Sequence, residues 1–203
     1  MKRFLPFMIV ALLGVLPLSA QASDVVEEPA AFKYELNVKG DQYIRISLAP
    51  TFPMNFPDFP SLFVRNAHQL GIGGLGTLGY HYFILKDMAV GFDVGFGFNV
   101  TIGSHVFNYV PVVGTFTYQP CFGKFEIPLT IGVGFAWETY ANKNYFPGLF
   151  VKPEIGLHYR LDPSWSVGGE VSYVFMPQFL ALYGGENAFG HFMNLAISAR
   201  YYF

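Results

Sequence analysis

The sequence predicts an all-β fold: a transmembrane, antiparallel, up-and-down β-barrel of eight strands. Three observations predict it. Long stretches alternate large apolar residues with small or polar ones at a period of two. The composition is rich in apolar (52%) and aromatic (19%) residues and poor in charge (13%), yet no run of roughly 18 apolar residues offers a membrane-spanning helix. Every charge inside an alternating stretch falls on the face of the small and polar residues.

The clearest stretch is Glu126 to Glu138. Ile127, Leu129, Ile131, Val133, Phe135 and Trp137 occupy one parity; Glu126, Thr130, Gly132, Gly134, Ala136 and Glu138 occupy the other. Successive strand side chains point to opposite faces, so this is a strand with one apolar and one polar face. In a water-soluble sheet the apolar face would look inward. In a membrane barrel it looks out to lipid.

Taken in order, the first strand is Gln42 to Phe52, with Ile44, Ile46, Leu48 and Phe52 outward against Tyr43, Arg45, Ser47, Ala49 and Thr51. A loop with Pro53, Pro57 and Pro60 follows, since proline cannot donate to a ladder. The second strand, about Gln69 to Phe83, places Leu70, Ile72, Leu78, Tyr80 and Tyr82 outward and Gln69, Thr77 and His81 inward. Its many glycines weaken the face assignment. After the Lys86-Asp87 turn, Val90, Phe92, Val94, Phe96, Phe98 and Val100 face out, against Gly91, Asp93, Gly95, Gly97 and Asn99. The fourth strand, about Asn108 to Gln119, sets Val110, Val112, Phe116 and Tyr118 against Thr115, Thr117 and Gln119. The stretch already described is the fifth, and Tyr140 to Pro147 is its loop. The sixth sets Leu149, Val151, Ile155, Leu157, Tyr159 and Leu161 against Lys152, Glu154, Gly156, His158 and Arg160. Asp162-Pro163-Ser164 is a tight turn. The seventh sets Trp165, Val167, Val171, Tyr173 and Phe175 against Ser166, Gly168, Glu170 and Ser172, before a long loop from Pro177 to Gly190. The eighth sets Leu195, Ile197, Ala199, Tyr201 and Phe203 against Asn194, Ser198, Arg200 and Tyr202.

The N-terminus reads as a secretory signal peptide over residues 1–22. Lys2 and Arg3 precede an apolar core, and Ser19-Ala20-Gln21-Ala22 ends in small-x-small, so cleavage is expected after Ala22. Residues 23–40 read as a polar periplasmic lead-in, and 41–203 as the barrel. A net charge of −2 leaves no electrostatic footprint for nucleic acid. The single cysteine, Cys121, excludes an internal disulfide.

Outward aromatics gather at the loop end (Phe52, Phe98, Trp137, Phe175) and at the turn end (Tyr82, Tyr118, Phe125, Tyr159, Trp165, Tyr201, Phe203). Two girdles flanking an aliphatic band fit the two interfaces of a membrane. The chain end, Ala199-Arg200-Tyr201-Tyr202-Phe203, resembles the C-terminal assembly signal of bacterial outer-membrane proteins, with Tyr201 and Phe203 as its key residues. From about Asp41 to Phe203 the pattern resembles the small eight-stranded outer-membrane barrels of OmpX, OmpA and OmpW type. Gly40-Asp41-Gln42-Tyr43-Ile44 and Pro163-Ser164-Trp165-Ser166-Val167-Gly168-Gly169-Glu170 are similar to stretches of spirochaete-type small barrels. The resemblance implies a place in the bacterial outer membrane, contact with its lipid, and recognition of the C-terminus by the outer-membrane assembly machinery.

Inside, Asp93, Glu126, Glu138, Glu154 and Glu170 face Arg45, Lys152, Arg160 and Arg200, with His81 and His158 added. Eight strands enclose a space that side chains can fill, and buried charges in it should pair. The expectation is a polar network that fixes the barrel. A gated conduit is the alternative, because the inward glycines Gly91, Gly95, Gly97, Gly132, Gly134, Gly156 and Gly168 either leave space or serve curvature and close packing.

No catalytic, cofactor or metal site is expected. Ser104-His105 is an adjacent Ser/His pair, but neighbours on a strand point apart and no carboxylate is placed to orient the histidine. Gly71-Ile72-Gly73-Gly74-Leu75-Gly76 opens no helix and so is no dinucleotide fingerprint. His191 reads as an interfacial polar residue. The outer loops carry exposed apolar residues, with Phe56, Phe59 and Phe63 in the first and Phe179, Leu182, Tyr183 and Phe189 in the last. Such surface marks an interaction site, a lid of loop on loop, or immersion in the headgroup zone. The functional expectation is a non-enzymatic barrel with a structural or surface-interaction role. Its alternative is an OmpW-like conduit for small hydrophobic solutes, with a lipid-modifying enzyme third. The partners foreseen are a small hydrophobic ligand or a host surface ligand.

Overall fold

The computed structural model describes residues 36–54, 70–101, 106–140, 143–179 and 188–203. Its strands are β1 (Gln42–Pro53), β2 (Leu70–Leu85), β3 (Met88–Thr101), β4 (Val106–Tyr118), β5 (Cys121–Phe122), β6 (Phe125–Glu126), β7 (Leu129–Tyr140), β8 (Lys143–Arg160), β9 (Trp165–Gln178) and β10 (Ala188–Tyr202). Two of the ten, β5 and β6, are two-residue pieces. The other eight form one antiparallel ring, β1-β2-β3-β4-β7-β8-β9-β10, closed by β10 on β1. The closing register runs from Tyr43 opposite Tyr202 to Pro53 opposite Phe192. A closed ring leaves no strand edge exposed in lipid.

The turns form where the chain supplies left-handed or side-chain-capped positions. Asp87 takes φ +58° between β2 and β3, and Gly123 takes φ +62° between β5 and β6. Asp162 accepts hydrogen bonds from the Ser164 and Trp165 amides at 2.7 and 2.9 Å, closing the β8–β9 turn.

The alternation resolves as lipid outside and a filled interior. Every outward residue expected on β3 is exposed, from Val90 to Val100, while Asp93 and Asn99 are buried. A wall so apolar and so exposed is the surface a bilayer covers. At the turn end, Phe125 lies edge-on to Tyr159 (5.3 Å) and Trp165 lies 5.0 Å from Tyr201, which itself stacks on Phe203.

The structure corrects the sequence reading in several places. The Glu126 to Glu138 strand is interrupted at Ile127-Pro128, because Pro128 has no N–H to give the ladder. The Pro128 carbonyl still accepts from Gly156 at 2.9 Å, which keeps the break in register with β8. The strands also run further than the alternation shows. β8 begins at Lys143 and not after Pro147, β9 reaches Gln178, and β10 begins at Ala188, so Phe189 belongs to the wall and stacks on Phe175. β4 likewise begins at Val106, ahead of Asn108. Leu70 packs against the interior cluster, not lipid, because the β2–β3 register shifts between Leu70 and Gly73.

The outer wall predicts its own mutational response. Val94→Arg, at the middle of β3, should destabilise the barrel by about 2–4 kcal/mol, and Tyr82→Arg, at the turn-end rim, by about 0–1 kcal/mol. Urea unfolding from lipid vesicles measures both. Equal costs would mean the wall does not sample the depth of a bilayer.

Candidate functional site

The interior is the site that the sequence singled out, and it has three levels. At mid-height Arg45 sits at the centre. It is 1% exposed and donates to Asp93 through Nη2 and to Glu154 through Nη1, with Glu170 at 3.4 Å. Lys152 Nζ reaches Glu154 at 3.1 Å and Asp93 at 3.4 Å. Arg200 Nη2 donates to Glu170 at 2.8 Å. Three cations (Arg45, Lys152, Arg200) therefore meet three carboxylates (Asp93, Glu154, Glu170), and the formal charges cancel. Glycine opposite each imidazole makes the room: a Cβ on Gly91 would lie 2.2 Å from His81 Nδ1, and one on Gly168 2.3 Å from His158 Cδ2. These inward glycines are filled by neighbours, which decides for close packing over free space.

The floor lies at the turn end. Glu126 accepts from Arg160 Nε at 2.6 Å and from Tyr202 Oη at 2.8 Å. The Arg160 guanidinium lies 3.6 Å from the Tyr202 ring centroid, a cation–π contact that covers its face. Gln119 joins floor to centre, donating to Glu126 at 3.1 Å and accepting from Arg200 Nη1 at 2.6 Å. Sequence reasoning missed the residue that closes this floor. Asn37, in the expected lead-in, is buried at φ +56°. It accepts from Arg160 Nη2 at 2.9 Å, and donates to the Gln119 carbonyl at 3.2 Å and to Cys121 Sγ at 2.9 Å. Its own carbonyl accepts from the Asp87 amide. An asparagine shortly before a Lys-Gly turn was the available signal, since Asn tolerates the left-handed region.

The loop-end half is apolar. Leu75, Phe107, Tyr109, Val113, Phe150 and Phe192 are buried together with their neighbours, and Phe107 stacks on Phe192 at 6.4 Å. This level was invisible to an argument from alternation because both faces are apolar there, as in Val112-Val113 and Val174-Phe175-Met176. Glu138 sits in it, apart from the ionic network expected to include it. It accepts from Gln178, and among the described residues it has no ion-pair partner. The structure brings together the other lumen residues, Arg45, Asp93, Glu126, Lys152, Glu154, His158, Arg160, Glu170 and Arg200.

Of the loop residues, Phe179 is exposed. Phe56, Phe59, Phe63, Leu182 and Tyr183 lie outside the described residues, as do Ser104 and His105. His191 has the parity of the outward face of β10 but is buried there, bonded to the Tyr173 hydroxyl and packed beside Phe175. His158 Nε2 faces both Ser198 Oγ (2.9 Å) and Glu170 (3.2 Å). Activating a serine requires one ring nitrogen for the hydroxyl and the other for the carboxylate, so this grouping does not relay a proton. Among the described residues no cluster of three His, Cys, Asp or Glu is placed to hold a metal.

The centre and the floor can each be tested. Arg45→Met strips the shared donor from three buried carboxylates and should cost about 3–5 kcal/mol, read by urea unfolding. Adding Asp93→Asn restores charge balance, with Lys152 on Glu154 and Arg200 on Glu170, and should recover much of the loss. At the floor, burial pushes the Cys121 thiol up to about 12, with Glu126 adding to it. Maleimide labelling of the folded barrel near neutral pH should therefore be slow. Asn37→Gly keeps the backbone conformation but removes the Nδ2 donor that favours the thiolate, and should slow labelling further; faster labelling would mean that the floor has opened to solvent.

A family model matches residues 21–201. Among solved structures the fold is similar to Neisserial surface protein A (TM-score 0.64, 12% identity, 80% of this chain and 99% of that chain). It is also similar to OprG from Pseudomonas aeruginosa (TM-score 0.52, 13% identity, 82% and 97%). In sequence the chain is similar to an uncharacterized protein of Treponema pallidum, 40% identical over 108 residues, which are 53% of this chain and 48% of that protein. An uncharacterized protein of Borreliella burgdorferi is 26% identical over 178 residues, 75% of this chain and 79% of that one. The chain spans about half or less of the length of the Treponema pallidum relatives it matches. An apolar outer wall, a closed ring of eight strands and these neighbours agree: the chain has the fold of the small eight-stranded outer-membrane β-barrels.

Proposed function

We propose that this is a non-enzymatic outer-membrane barrel with a structural or surface-interaction role, closed along its axis and acting through its outer loops. The observation that carries the reading is the stacked filling of the lumen. An aromatic and aliphatic level lies above a charge-balanced centre, and the Glu126–Arg160–Asn37 floor lies below. A solute moving down the axis would have to displace all three, including buried ion pairs whose rupture costs several kcal/mol.

In this reading the leader is removed after Ala22, and Tyr201 and Phe203 present the chain to the assembly machinery. The apolar loop residues Phe56, Phe59, Phe63, Phe179, Leu182 and Tyr183 meet lipid headgroups, a host surface ligand or a small hydrophobic ligand. The test is conductance of the refolded barrel in a planar bilayer, with folding confirmed by heat-modifiable electrophoretic mobility. The expected result is a silent membrane for the wild type, and openings for an Arg160→Ala and Asn37→Gly double variant that loosens the floor. Reproducible wild-type openings that a small apolar solute closes would replace the reading with a conduit for such solutes.

A further inference from the structure

The wall of the barrel has places where its ladder lapses. Between β1 and β10 the pairing jumps from Leu48–Ile197 to Thr51–Asn194, passing over Ala49 and Pro50. Between β8 and β9 it jumps from Val151–Phe175 to Glu154–Ser172, passing over Lys152 and Pro153. Between β3 and β4 it jumps from Val94–Val112 to Gly97–Tyr109, passing over Val110 and Pro111. Proline has no N–H to donate, and sheets confine it to edges or bulges. A closed barrel has no edge, so each proline leaves a local lapse.

Two of the lapses open on the lipid side into apolar grooves. The groove over Pro50, of about 550 Å³, is floored by Pro50, Gly74 and Gly76 and walled by Phe96, Phe98 and Ile197. The groove over Pro153, of about 470 Å³, is walled mainly by Phe116, Ile131, Ile155, Val171 and Tyr173, with Thr130 and Glu154 also lining it. The first spans β10, β1, β2 and β3, and the second β4, β7, β8 and β9, so they occupy opposite halves of the ring.

We infer that each groove is a seat for one acyl chain of a bilayer phospholipid, held more tightly than the lipid around it. Both grooves are continuous with the outer wall that the bilayer covers, which fixes the occupant as lipid. An acyl chain lying in a groove touches protein on its sides as well as its base, and dispersion contacts grow with the number of atoms in reach. On the convex wall a chain touches protein along one side. Gly74 and Gly76 create this depth on β2, and proline rings line the base where the strands part.

Native mass spectrometry tests this on the full barrel, refolded into dioleoylphosphatidylcholine vesicles and extracted in mild detergent. The wild type should retain phospholipid, with a doubly loaded species among its adducts. Gly76→Leu fills the first groove; a Cβ there meets only Leu48 Cδ2, at 3.4 Å, so the fold should tolerate it. Val171→Trp fills the second from an exposed position. Each should lower the doubly loaded species by roughly tenfold, for about 1.4 kcal/mol of lost contact, and the two together should leave the barrel nearly bare. Ile46→Leu, outside both grooves, should leave adducts unchanged. A wild type without adducts, adducts insensitive to both fillings in barrels with folded mobility, or a dimer mass in place of lipid adducts would each overturn the inference.

Discussion

The guanidinium of Arg45 is the constraint on which the rest of the barrel depends. It sits at mid-height, buried, with three carboxylates around it. A charge in that position is stable only if its partners are held in place, because an unpaired buried charge costs several kcal/mol. Asp93 comes from β3, Glu154 from β8 and Glu170 from β9. One side chain therefore ties together strands from around the ring. Their register must be kept, since a slip of one residue would turn each carboxylate into lipid.

That arrangement sets the small residues around it. A side chain as large as His81, His158 or Tyr109 fits across so narrow a ring only where the neighbouring strand offers glycine. Gly91, Gly168 and Gly97 supply that space, and a Cβ at Gly97 would lie 2.1 Å from the Tyr109 ring. These glycines of the inner face are thus the complement of its large side chains. The same pairing operates in the ionic centre and in the apolar level above it, so the interior packs as one body although its chemistry changes along the axis.

The wall was legible in the sequence. Period-two alternation placed nearly every outward residue, and the inward charges other than Glu138 lie in one connected set of ion pairs and hydrogen bonds. The reading failed where alternation itself disappears. At Val174 to Met176, and from Phe189 to Met193, apolar residues stand on both the lipid and the interior face, so the strands read as ending early with loops in their place. Glu138 was grouped with the other charges because its parity is inward. Nothing in the alternation shows that an apolar level separates it from the centre. Asn37 escaped because a plug residue contributed by a segment outside the ladder has no periodic signature.

The prolines are where local chemistry and closure conflict. A membrane requires every backbone polar group to be satisfied within the protein, and Pro50, Pro111 and Pro153 withhold donors from a ring that has no edge to spare. The ring tolerates this because each lapse is bounded by paired residues on both sides: Leu48 and Thr51 at the first, Val94 and Gly97 at the second, Val151 and Glu154 at the third. Behind the Pro153 lapse lie Lys152 and Glu154, whose ion pairs hold β8 to the centre from within. A seam short of hydrogen bonds is thus backed by interior electrostatics, and the wall and the lumen stabilise each other at the same height.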